Sequence, residues 1–296
     1  MADLILELGC ESCYLHDLDC GGNCVFPLSI SLSNLVSKKL LQTPPYSIKD
    51  TNSFTVKKEF LCRNKRVPDV YRYDLKFDFN ICEWRLFEAN KTGALVLANL
   101  WEEKNSTNYD YQKISNKRED NNILIILESP HDDEYEYEYP DFVPLQPANG
   151  KTGKGFFTYF TRDILNYVDV KSMPIPLKNY LNRNFTYRIC FVNPVPFQTS
   201  LHFFHRQGLK GDYKNIRNAV WKKLFPHCER DFINRVESYK PFAILNSCTG
   251  ELKNKGDLKS LIKNSIDNNF TCVNYVYKFN TGHPCSWYSH RHCKKW

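Results

Sequence analysis

The chain has 296 residues, with 40 Lys and Arg against 33 Asp and Glu, for a net charge of +7. Apolar residues make up 42% and aromatics 15%, which suits a folded core and excludes a disordered polyelectrolyte. No apolar run reaches the ~18 residues that a membrane-spanning helix needs, and the opening "MADLILELGCESC" lacks a basic n-region, so a soluble, cytoplasmic protein with no membrane partner is expected.

Twelve cysteines are many for a reducing compartment. Cys10, Cys13, Cys20 and Cys24 fall as C-x2-C-x6-C-x3-C. Thiolate pairs at that spacing suit a structural zinc, and less readily an iron–sulfur cluster. His16, Cys62 and Cys82 compete as ligands, and four ordinary thiols are the alternative.

Residues 1–120 read as an irregular, β-containing accessory region. "FTVKKEFLC" (54–62) and "VYRYDLKFDF" (70–79) alternate as half-buried strands do, and the end of "WRLFEANKTGALVLANLWEEK" has helical composition. The polar stretch 104–122 reads as a linker or long loop.

From residue 121 the pattern changes. "ILIILES" (123–129), "YRICFVNPV" (187–195), "FAILNSC" (242–248) and "FTCVNYVYKF" (270–279) are continuous apolar runs, as strands covered on both faces are. Helical patterns lie between them at 155–168, 213–225, 229–239 and 250–266. The alternation predicts an α/β fold for residues 121–296: a three-layer α/β/α sandwich around a central four-stranded parallel sheet. In such sheets ligands bind beyond the carboxyl ends of the strands. There the chain places carboxylates (Glu128, Asp132, Asp133, Glu134), the amide of Asn193, His283 and several aromatics. A carboxylate orients water or opposes a developing cation, an amide reads a base edge, and a histidine stabilises a departing oxyanion. Together they suit hydrolysis of an N-glycosidic bond.

The strand-end segments "LESPHDDEYE", "FVNPVPF" and "HPCS" resemble, in that order, the three motifs of the uracil-DNA glycosylase superfamily, closest to its thermophile-type pattern. The resemblance spans roughly residues 122–291. Leu127 stands where the first motif has its leading Gly, His131 where it has its last Gly, and Cys285 separates Pro284 from Ser286 in the final motif.

The resemblance implies a DNA glycosylase that flips a pyrimidine nucleotide and leaves an abasic site, with DNA as partner and no catalytic cofactor. It assigns Glu128 to water or to the oxocarbenium charge, with Asp132, Asp133 and Glu134 as competitors, and His283 to the base carbonyl. Asn193 would read the base, Ser129 and His131 would shape the pocket, and one of Phe142, Phe156 and Phe157 would stack on the base. Core packing is the alternative for the last two. Ser286, Arg291 and Lys154 would meet DNA phosphates, Lys154 from the glycine-rich "GKTGKG", and Trp287 or Tyr288 would wedge the duplex. Uracil in repair, or a hydroxymethylated or glucosylated cytosine in phage defence, are the substrates in view. The alternative is a non-catalytic nucleic-acid binder carrying a zinc module on the same fold. A metal hydrolase built on His283, Cys285, His290, His292 and Cys293 is disfavoured, because it would leave the strand-end carboxylates without a role.

Overall fold

The computed structural model describes residues 3–8, 26–31, 47–50, 53–55, 67–89, 94–99, 101, 121–138, 141–171, 175–196, 199, 212–250, 256–271 and 275–296. The four N-terminal cysteines proposed for zinc, with His16 and Cys62, lie outside them. In chain order the strands are β1 (Asp3–Leu8), β2 (Phe26–Ser31), β3 (Ser47–Asp50), β4 (Ser53–Thr55), β5 (Val70–Asp78), β6 (Glu83–Ala89), β7 (Leu95–Leu97), β8 (Asn121–Ile126), β9 (Tyr135–Glu138), β10 (Asp141–Pro144), β11 (Tyr187–Val192), β12 (Ala243–Asn246), β13 (Tyr277–Thr281) and β14 (Cys293–Lys295). The helices are α1 (Lys151–Tyr159), α2 (Asp212–Ser238) and α3 (Leu258–Asn269). Among the described residues no helix is long and apolar enough to cross a membrane.

The chain divides into two compact units. The first comprises residues 1–67, 129–145 and 195–231. It holds a four-stranded sheet, ordered β2-β1-β4-β3, and the β9–β10 hairpin. The second comprises residues 68–128, 146–194 and 232–296 and is built on an eight-stranded mixed sheet, ordered β14-β13-β12-β8-β11-β5-β6-β7.

Within the larger sheet β8 pairs parallel with both β11 and β12, and β12 pairs parallel with β13. The expectation of a purely parallel four-stranded sheet is corrected by its antiparallel flanks. β5, β6 and β7 extend it beyond β11, and β14 adds to β13. β5 is the strand read from "VYRYDLKFDF", placed by the sequence in the accessory region; it pairs instead with β11. The stretch 84–104 holds the strands β6 and β7 where helix had been expected near its end. Two predicted helices, 213–225 and 229–239, are one helix, α2, with Pro226 inside it. Proline removes one backbone donor and usually ends or kinks a helix, so its presence is what made one helix read as two.

The strands are apolar because both faces are covered. Alternate residues Ile123, Ile125 and Leu127 join Phe156 and Phe160 of the α1 segment in one continuous core with Leu245, Phe279 and Trp287. Leu124, Ile126, Cys190, Val192 and Ile244 point the other way and are equally inaccessible. α3 buries Leu258, Ile262 and Ile266, each four residues from the next, and touches β12. The register is level at the carboxyl ends: Ile126 lies beside Val192 on one side and Asn246 on the other, and Asn246 beside Asn280. From β8 the chain goes first to β11 on one side, then to β12 and β13 on the other. Such a reversal of strand order opens a crevice at the carboxyl end of the central strand.

Candidate functional site in the larger unit

Glu128 follows β8 by two residues and is 1% exposed. Its Oε2 accepts hydrogen bonds from the Thr249 backbone N–H at 3.3 Å and from the Thr249 hydroxyl, and Cys248 Sγ lies 3.8 Å away. Both partners come from the segment after β12, the neighbouring strand. A buried carboxylate must be held this way, because desolvation without donors is costly.

Asn193 follows β11 on the other side of β8. Its backbone is clamped: the N–H donates to Asp69 Oδ1 at 3.2 Å, and the carbonyl accepts from Arg235 Nη2 at 3.0 Å. Asp69 is tied in turn to the Arg235 guanidinium and to Tyr239 Oη at 2.9 Å. The side chain is the reverse. It is fully buried, and neither amide atom has a partner among the described residues. The sequence reading missed Asp69, Arg235 and Tyr239, which lie 124, 42 and 46 residues from Asn193 in the chain.

His283 leaves β13 two residues past its end and is 8% exposed. Its Nδ1 is 3.0 Å from Cys285 Sγ, and its carbonyl accepts from Ser286 Oγ at 2.7 Å. The short turn Pro284–Ser286 presses on α1: a Cβ at Gly155 would lie 2.2 Å from the Pro284 carbonyl oxygen, and one at Gly153 would lie 1.8 Å from that of Ala148. In "GKTGKG" these two glycines serve close packing, while Lys154 between them is exposed.

Lys259, near the start of α3, was not singled out in the sequence, where it sits in a polar run that reads as a solvated helix face. It is 4% exposed and its Nζ donates to the Thr281 carbonyl oxygen. Burial lowers its pKa, with Cys248 and Glu128 acting in the opposite sense. Ser247 and Thr281 share a hydroxyl hydrogen bond of 2.7 Å across the ends of β12 and β13.

Three expectations are corrected here. Phe156 is fully buried, stacked 4.5 Å from Phe160 and edge-on 4.9 Å from Phe191, so it is a core side chain and not a platform for a base. Trp287 is fully buried with Nε1 donating to the Gly282 carbonyl at 2.7 Å, so it cannot be the wedge. Tyr288, 64% exposed, is the aromatic that projects. The basic end is less available than its charge suggests. Arg291 folds back on Asp163 at 3.1 Å and on the Trp287 and Tyr288 carbonyls, and Lys294 pairs with Asp169 at 3.3 Å. Phe157 is half-buried.

The remaining candidates belong to the smaller unit. Ser129 is buried and shares a 2.6 Å hydrogen bond with Thr199. His131 is half-buried, Asp133 is exposed, and the backbone of 132–134 forms a single turn. Phe142 lies on β10.

Among the described residues no three His, Cys, Asp or Glu side chains converge as metal ligands do. A cavity of about 490 Å³ lies elsewhere in the larger unit, lined by Phe77, Trp84, Arg162, Lys178 and Arg183 and, of the candidate residues, by Cys82 alone. The chain matches no protein-family model, no curated protein and no solved structure at a significant level.

Proposed function

We propose that the chain is a DNA glycosylase acting on a flipped pyrimidine, uracil or a modified cytosine, and that its catalytic core is a three-layer α/β/α sandwich with the four parallel strands at its centre. The observation that carries the reading is the Asn193 amide, fully buried beside the central strand end and without a partner among the described residues. An unsatisfied buried amide is costly in the empty protein. A base edge, which offers both donors and acceptors, would satisfy it.

Glu128 and His283 supply the rest of the chemistry from the ends of β8 and β13. In a glycosylase the sugar gains positive charge while the base departs with negative charge. Glu128, gripped through Oε2, opposes the first and aligns the attacking water. His283, whose Nδ1 lies 3.0 Å from Cys285 Sγ, meets a base carbonyl through Nε2 in this reading. Tyr288 takes the wedge role, with exposed Lys154 as a phosphate contact. Asp132, Asp133, Ser129, His131 and Phe142 belong to the smaller unit, and the proposal rests on the residues of the larger one.

The test is release of free base, identified by mass, from single- and double-stranded DNA carrying uracil, hydroxymethylcytosine or glucosylated cytosine. Alkali-labile abasic sites should appear on at least one, and Glu128→Gln should abolish them. DNA that is bound but never cleaved would favour the binding-module alternative.

A further inference from the structure

The cavity of about 490 Å³ in the larger unit falls within the roughly 300–1,000 Å³ of small-molecule sites. Three segments wall it: the β5–β6 hairpin, residues 161–166 and residues 178–183. Three of its lining side chains are cations, Arg162, Lys178 and Arg183, and one, Glu83, is an acid. Arg162 shares Asp163 with Arg291, at 2.8 and 3.1 Å, so one carboxylate answers two guanidinium groups. Lys178 and Arg183 form no ion pair among the described residues. Like charges gathered around one cavity repel, and an anion between them relieves that. Arg183 is held for such a contact. Its guanidinium carbon lies 4.7 Å from the centre of the Phe77 ring, and no hydrogen bond among the described residues takes its donors.

A phosphate alone would leave most of this space empty. Phe77 and Trp84, edge-on at 5.5 Å, and Leu165 give the cavity an apolar side. Two amides supply polar groups of both kinds. Asn166 donates through Nδ2 to the Thr161 and Arg162 carbonyls, each at 2.9 Å, which leaves Oδ1 as an acceptor. The Asn179 side chain has no partner among the described residues and offers both donor and acceptor. The carbonyls that Asn166 caps belong to the π turn Phe160–Ile164, in which the Leu165 N–H reaches back to the Phe160 carbonyl at 2.9 Å. Such turns recur at functional sites. We propose that the cavity binds a nucleoside phosphate from solution, its phosphates on Lys178, Arg183 and Arg162, its base against Phe77 and Trp84 with an edge toward the two amides. A concavity walled by three segments admits a whole small molecule, whereas an extended strand needs a groove open at both ends. Glu128, Asn193 and His283 do not line the cavity, so the proposal stands apart from the glycosylase reading.

The experiment titrates the full chain with ATP, GTP, CTP and UTP by calorimetry. Adenosine, inorganic triphosphate and a thymidine oligonucleotide are run beside them. At least one nucleotide should bind, and adenosine and inorganic triphosphate should each bind at least about tenfold more weakly than it. Cys82, exposed and lining the cavity, reports the location: bound nucleotide should slow its alkylation by iodoacetamide, read by peptide mass spectrometry, and leave Cys285 unaffected. Lys178→Gln and Arg183→Gln remove exposed side chains, so melting should be unchanged while affinity falls at least about tenfold each, the loss of one charge-assisted hydrogen bond. Lys222→Gln, at an exposed lysine of α2 outside the cavity, should bind as wild type does. No binding by any nucleotide at millimolar concentration overturns the proposal. Equal binding of adenosine or inorganic triphosphate, or unweakened binding in folded Lys178→Gln and Arg183→Gln, does so too. Protection of Cys285 in place of Cys82 would put the nucleotide in the candidate site instead, and binding of the oligonucleotide alone would make the cavity a strand contact; either result also overturns it.

Discussion

The Nδ1 of His283 lies 3.0 Å from the Sγ of Cys285, and Cys285 is exposed. Cys285, which separates Pro284 from Ser286, thus meets the imidazole from the same turn. An imidazole at that distance also favours the thiolate. Cys82, also exposed, has its Sγ 3.7 Å from the Phe79 carbonyl and is an internal reference. Iodoacetamide at neutral pH should label Cys285 about tenfold faster than Cys82, as read by peptide mass spectrometry. His283→Ala should bring the two rates together. Equal rates in the wild type would mean that the sulfur does not respond to the ring.

Trp287 and Tyr288 are adjacent and do opposite things. Trp287 packs 5.9 Å from Phe156 and 6.3 Å from Phe160, whereas Tyr288 projects. Trp287→Ala should cost about 3–5 kcal/mol of unfolding free energy, the usual penalty for emptying a buried aromatic site. Tyr288→Ala should leave the melting temperature unchanged and weaken binding to duplex DNA more than to single strands. A stable Trp287→Ala protein would contradict the packing.

The strand ends were legible in the sequence because a strand covered on both faces must be apolar throughout, and the polar residue that stops the run marks its end. Glu128, Asn193 and His283 were found by that rule. Lys259 was not, because a single lysine in "GDLKSLIK" cannot be told from a solvated one until the helix is packed. The Asp69–Arg235–Tyr239 clamp was invisible for a related reason: its members are scattered through the chain and meet only when β5 joins the edge of β11. For Phe156 and Trp287 the sequence left two readings open, because aromatics next to glycines and histidines look like a binding surface until the core is packed; both rings are fully buried.

The clamp and the amide it presents should separate stability from activity. Asp69 and Arg235 side chains are 2% and 10% exposed. Asp69→Ala should cost about 3–5 kcal/mol, because it removes the carboxylate that faces a buried guanidinium. Tyr239→Phe removes one hydrogen bond and should cost about 1 kcal/mol. Asn193→Ala differs from both. It deletes a buried amide that lacks partners among the described residues, so folding should be unchanged or improved while base release falls by at least about tenfold, as loss of a base-reading hydrogen bond implies. Denaturant unfolding and single-turnover kinetics on the same samples check this, and a destabilised Asn193→Ala would assign the amide a structural role.

The acid limb of stability should depend on His292. Burial first, then the positive charges of Lys259 and Lys294 and the neighbouring His290, hold it down to about 4 from the ordinary 6.5. Above pH 6.5 the ring is neutral in both folded and unfolded chains and contributes no slope. Between pH 6.5 and 4 the unfolded chain takes up a proton that the folded chain refuses, so stability falls as pH falls. Below 4 both forms are protonated and the loss levels off. Because the ring is only half-buried, solvent screening limits the effect to about 1–2 kcal/mol. Subtracting the unfolding free energy of His292→Asn from that of the wild type across pH 4–7 removes the contribution of every other carboxylate and histidine. The difference should decline through this window; a flat difference would mean that the ring takes up its proton as readily in the folded chain as in the unfolded one.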